Sequence, residues 1–217
     1  MTVVPSVRHF RALALVAVVL AAPQAWAETV TYHFTGQLTT ITNGSGGTAD
    51  LTGIFSLGQP VTLEYTIERS TPAEPQDPHT SGYTGAITAL SFSIGSWSGS
   101  GTPGYSFTTV LNDEPSPVSG VYDEYSAQVQ GGISAPPIGN AQLTSLTYTF
   151  DDVQGTVFNS TAIPGVFPDL SSFEGKTLTV LLLDMSTFKS GYVMATFDGG
   201  STPTEPGTWG RLKSLYR

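Results

Sequence analysis

Apolar residues along this chain recur with a period of two. In TVTYHFTG (29–36) Val30, Tyr32 and Phe34 alternate with Thr31, His33 and Thr35; in PVTLEYTIE (60–68) Val61, Leu63, Tyr65 and Ile67 alternate with Thr62, Glu64, Thr66 and Glu68. Successive side chains of a strand point to opposite faces, so this spacing predicts half-buried antiparallel strands with one wet face. LSFSIGSW (90–97), YSFTTVLND (105–113), VYDEYSAQVQ (121–130), LTSLTYTFDD (143–152) and GYVMATFD (191–198) read the same way, and the nearly unbroken apolar run KTLTVLLLD (176–184) reads as a central strand. Leu90, Phe92, Ile94, Leu178, Val180 and Leu182 are expected to share one core with the apolar residues of the first two strands. Clusters of Gly, Pro, Asn, Asp and Ser, such as NGSGG (43–47), separate the runs, with long loops at 71–83 and 153–168. No segment carries a helical apolar stripe capped at both ends. About eight strands of this kind predict an all-β domain, an antiparallel β-sandwich of jelly-roll-like form.

The N-terminal end departs from this pattern. Arg8 and Arg11 precede an unbroken apolar run over 12–22, followed by Pro23 and the small-x-small triplet Ala25, Trp26, Ala27. Eleven apolar residues fall well short of the roughly 20 that span a bilayer, and the triplet is a cleavage site, so 1–27 reads as a secretory signal peptide. Cleavage after Ala27 is expected to leave a domain over 28–200 and a tail over 201–217, exported to the periplasm or the medium. Loss of Arg8 and Arg11 leaves 17 acidic against 6 basic residues, a net charge near −11. Such a surface repels nucleic-acid phosphates and anionic membranes, which argues against both as partners. With no cysteine, the exported chain must be held by its core alone, without disulfides or thiolate metal sites.

GIFSLGQPVTLEYTIE (53–68), a Pro- and Asp-rich loop, and GYTGAITALSFSIGSW (82–97) carry Phe55, Gly58, Tyr65, Tyr83, Ala86, Phe92 and Gly95 in that order. This order resembles the body of exported bacterial proteins that carry a PEP-CTERM sorting tail. In the tail STPTEPGTWGRLKSLYR (201–217), Glu205 and Pro206 follow Thr204 where that family has Pro-Glu-Pro, and GTW (207–209) matches the usual continuation. The resemblance implies a handle for an exosortase in bacteria that make exopolysaccharide. The apolar helix of that signal is replaced by RLKSLYR, too short and too polar to cross a core of about 30 Å, so a disordered tail and no stable membrane anchor are expected.

Candidate chemistry is sparse. His33 lies on the polar face of the first strand and His79 in the Pro-rich loop, with no partner at metal-ligand spacing for either. No G-x-S-x-G elbow is present, and the Gly-rich GSWSGSGTPG (95–104) lacks the lysine and helix of a phosphate loop. Three acidic pairs, Asp113 with Glu114, Asp123 with Glu124, and Asp151 with Asp152, lie at or near strand ends. They are either solvated or candidate ligands for calcium, which needs six to eight oxygens; no other cofactor is expected. Two carboxylates about 5 to 9 Å apart would instead make a glycosidase pair. Trp97, Tyr105, Tyr122, Tyr125 and Tyr192 fall at or beside strand ends or on faces not obviously buried, and flat rings on a β-sandwich grip sugars. Trp97, placed opposite Leu90, Phe92 and Ile94, is the first candidate for a glycan platform. Tyr122 is the second, because Val121, Tyr125, Ala127 and Val129 occupy the other face of its strand. The leading expectation is a non-catalytic exported structural or adhesion protein of the cell surface or exopolysaccharide matrix. A carbohydrate-binding module and an extracellular hydrolase are the alternatives.

Overall fold

The computed structural model describes residues 28–43, 50–118 and 120–199. The expected signal peptide (1–27), most of the turn at 43–47, and the tail (201–217) with Glu205 and Pro206 lie outside the described residues. The described residues form twelve strands, the longer ones from the period-two runs: β1 (Thr29–Thr42), β2 (Pro60–Glu68), β3 (Glu74–Pro75), β4 (Thr80–Thr84), β5 (Ile87–Ile94), β6 (Trp97–Gly101), β7 (Tyr105–Ser116), β8 (Gly120–Gln130), β9 (Ile133–Ser134), β10 (Ala141–Asp152), β11 (Gly175–Asp184) and β12 (Lys189–Gly199). The described helical structure is two short 3-10 turns, Leu51–Gly53 and Leu170–Ser172. Among the described residues no helix is long and apolar enough to cross a membrane.

The all-β reading holds; the eight-stranded sandwich does not. All twelve strands join one antiparallel sheet, in the order β3-β4-β7-β8-β10-β11-β12-β1-β2-β5-β6-β9, curled into a half-barrel. The curl has a covalent cause. β4 lies near one end of this ladder and β5 near the other, yet only Gly85 and Ala86 separate them in the chain. Gly85 makes the corner with φ +74°, a left-handed conformation that side chains with a Cβ resist. The corner is stitched by Gly85 N–H donating to the Ser106 carbonyl and Glu68 N–H donating to the Ala86 carbonyl, each at 2.8 Å.

Curling brings the concave face against itself, and aromatic rings fill it. Tyr65 of β2 stacks on Tyr148 of β10 with centroids 4.8 Å apart, and Phe34 of β1 meets Phe150 of β10 at the same distance, although three and two strands, respectively, separate these elements in the ladder. Every residue expected in the common core is buried there. The remaining open side is covered by residues 153–174. Phe167 from this segment stands against Tyr32, Phe34, Tyr125, Phe150 and Phe173, with Ile163 and Leu170 buried beside it. Strand hydroxyls hold the cover in place: Tyr32 Oη donates to the Pro164 carbonyl and Tyr83 Oη to the Thr161 carbonyl. The interior is therefore a packed core, and ligand chemistry has to be sought on the outer face and the rims.

Candidate functional site

The structure removes Trp97 as a surface platform. Its ring is 6% exposed, packs edge-on to Phe55 at 5.4 Å and against Phe92 at 5.0 Å, and its Nε1 donates to the Pro136 carbonyl at 2.8 Å. Counting alternation straight through 90–97 put Trp97 opposite Phe92, but Gly95 (φ +58°) turns the chain into a two-residue hairpin there. Ile94 and Trp97 become direct cross-strand partners, and partners share a face. Tyr125 is also wholly buried, in the aromatic interior. Tyr105 is exposed and Tyr192 half-buried; they pair with Gln130 of β8 and with Thr42 of β1 and Leu181 of β11, respectively.

The six acidic candidates divide between the two sides of the sheet, as adjacent residues of a strand must. Asp123 and Asp152 are cross-strand partners and are buried. Asp123 Oδ1 accepts the Asp113 N–H at 2.8 Å and its Oδ2 accepts Val157 N–H at 2.9 Å and Phe158 N–H at 2.7 Å. Asp152 accepts the N–H groups of Gln154 and Thr156 and the Thr156 hydroxyl. Burial works to raise the Asp152 pKa, but these donations outweigh it and hold the carboxyl below its ordinary value. Both side chains thus fasten the start of the covering segment. Asp113 sits in a bulge where the register slips by one residue, with a left-handed φ of +54°. Among the described residues no group of three or more His, Cys, Asp or Glu side chains is arranged to hold a metal ion. The histidines are apart, His33 Nδ1 lying 3.8 Å from Glu64 and His79 Nδ1 3.1 Å from the Asn112 carbonyl.

Glu114, Tyr122, Glu124 and Asp151 come together on the outer face. Tyr122 pairs with Glu114 across β7 and β8, and Glu124 pairs with Asp151 across β8 and β10. Tyr122 and Asp151 line a cleft of about 480 Å³, with Pro115, Pro117, Val118 and Val153 forming an apolar wall. This wall exists because the β7–β8 hairpin carries two prolines and an exposed Val118, and Val153 leaves the end of β10 toward it. The cleft is larger than the depression of about 330 Å³ beside Arg69, whose guanidinium is engaged by Glu28 and the Ile163 carbonyl.

Electrostatics single out Asp151. Partial burial, followed by the neighbouring Glu124 carboxylate, pushes its pKa up to about 6. The Tyr122 phenol is also raised, first by desolvation and then by Glu124, Glu114 and Asp151. Among the described residues no hydrogen bond engages the Asp151 or Glu124 carboxylate, while Glu114 Oε2 accepts from the Thr80 hydroxyl at 3.1 Å. Across the other side of Asp151 stands Gly175 of β11, its cross-strand partner, where a methyl group would run into the Asp151 carboxylate. Sequence reasoning reached Tyr122 and the acids but missed Gly175 and the Pro115 to Val118 wall. An acidic pair at a strand end does signal that one member faces out. Comparison with protein-family models, curated proteins and solved structures yields no match, so function has to be argued from this geometry.

Proposed function

We propose that this chain is an exported, non-catalytic adhesion protein of the cell surface or exopolysaccharide matrix, and that it holds polysaccharide at the Tyr122 cleft. The observation that carries the reading is an accessible aromatic ring beside two carboxylates, Glu124 and Asp151, that make no hydrogen bond among the described residues, on the outer face of a sheet whose inner face is a closed core. Sugar rings present an apolar C–H face and a rim of hydroxyls; a tyrosine ring with an apolar wall matches the first, and carboxylate oxygens accept from the second. Export is supported by the basic, apolar and small-residue order of 1–27, and the matrix setting by the sorting-tail resemblance of the body and of Glu205 and Pro206.

Hydrolysis is the second reading, favoured by the proton-retaining Asp151 beside Glu124. Against it, these two carboxylates project from one sheet face as direct neighbours, whereas glycoside hydrolysis uses groups that flank the scissile bond. Affinity electrophoresis of the chain from Glu28 in polysaccharide-containing gels tests the proposal. Retardation that Tyr122→Ala abolishes is the expected result; migration identical with and without polysaccharide contradicts it. New reducing ends that appear with the wild type and vanish with Glu124→Gln would favour the hydrolase.

A further inference from the structure

We infer that the Tyr122 cleft takes a glycan bearing free ammonium groups, a polymer of hexosamine units with unacetylated amines. This deepens the polysaccharide reading above and rests on it. The cleft suits an occupant with one apolar side, since its wall is Pro115, Pro117, Val118 and Val153 and its polar part is Ser116, Tyr122 and Asp151. Charge then selects among sugars. Glu114, Glu124 and Asp151 all act on the Tyr122 phenol, and among the described residues no Lys, Arg or His lines the cleft. A uronate polymer would meet these carboxylates with like charge. A neutral polymer would gain hydrogen bonds but leave Glu124 and Asp151, direct cross-strand partners, repelling each other. An ammonium placed over the Tyr122 ring satisfies both carboxylates and the ring's negative face together. Gly175 fits this arrangement, because any Cβ there would displace the Asp151 carboxylate from its place. Two basic groups of the domain are engaged away from the cleft: Lys176 Nζ donates to the Leu170 carbonyl, and Arg69 is paired with Glu28.

The test is calorimetric titration of the chain from Glu28 with four β-1,4-linked hexamers: glucosamine, N-acetylglucosamine, glucose and glucuronate. Binding of the glucosamine hexamer at least roughly ten-fold tighter than the other three is expected, as one added charge-assisted contact provides. Tyr122→Ala should weaken it by roughly 5- to 30-fold and Tyr122→Phe by no more than about two-fold, since the ring face is kept. Glu124→Gln and Gly175→Ala should each weaken it too, with unchanged melting curves showing that the fold is intact. Equal or tighter binding of the acetylated, neutral or uronate hexamer overturns the ammonium assignment while leaving the polysaccharide reading in place. Glucosamine binding that ignores Tyr122→Ala and Gly175→Ala is diffuse attraction to an acidic surface and also overturns it. Failure of every hexamer, together with no retardation in polysaccharide gels, overturns both readings.

Discussion

Tyr65, Tyr125 and Tyr148 place three phenol hydroxyls in the closed interior, beside the buried hydroxyl of Thr108. None of the four makes a hydrogen bond of good geometry, although Tyr65 and Tyr148, whose pKa values are driven well up first by burial, are raised further by Tyr125. A buried polar group without a partner costs about 1–3 kcal/mol, so Tyr148→Phe is expected to leave stability unchanged or raise it by up to that amount in urea melts. A loss above about 1 kcal/mol would show that the hydroxyl is bonded after all. Asp151 gives the opposite kind of test, in pH. Its pKa of about 6 lies above the unfolded value, so between these pH values the native state holds more protons and stability falls as pH rises through about 6. Glu124 of β8 adds repulsion once Asp151 ionises, while Glu114 of β7 acts on the neighbouring Tyr122 phenol. Asp151→Asn should flatten the melting temperature between pH 4 and 6; a wild type that gains stability across that window contradicts the assignment. Residue roles were legible where they follow from alternation, as with Tyr122 pointing outward. They were not legible where a turn resets the count, as with Trp97, or where a contact depends on residues far apart in sequence, as with Gly175 and Asp151.

Element by element, long strands with clean alternation read directly: β2 has the expected bounds, and the core faces of β5 and β11 are as predicted. β3 and β9 have two residues each and carry no periodicity to read. β4 and β6, TSGYT and WSGSG, are rich in glycine and serine, which disfavour strands in isolation; they are held by pairing with β7 and β5. Residues 153–168 are a loop, as expected, and continue through the 3-10 turn Leu170–Ser172 as one covering segment, yet what makes it part of the core is Phe167 reaching rings on β1, β8 and β10, which no local pattern announces. Phe167→Ala should cost about 3–5 kcal/mol, since it removes a large buried side chain that little can replace. Hydrogen exchange should then show faster exchange through 153–174 than through β11. Uniform exchange with unchanged stability would mean that the segment does not serve as the cover.

At the scale of the whole molecule, local patterns reported β-structure but not its closure. Whether eight or more strands form two stacked sheets or one curled sheet is decided by which strands pair, and that depends on the Gly85 corner and on the distant pairing of β4 with β7 and β5 with β2. Closure has a functional consequence, because it fills the concave side with aromatic rings and leaves the outer face to meet other molecules. On the function proposed above, the acidic surface and the Tyr122 cleft act together, the one repelling polyanions and the other offering an apolar, carboxylate-flanked recess. The most direct test of that claim is a two-dimensional amide NMR titration of the chain from Glu28 with a polysaccharide that retards it in gels. Saturable shifts confined to residues 114–124, 151–153 and 175, absent in Tyr122→Ala, are the expected result. Shifts centred on the Arg69 depression, or spread evenly over the surface, would contradict it.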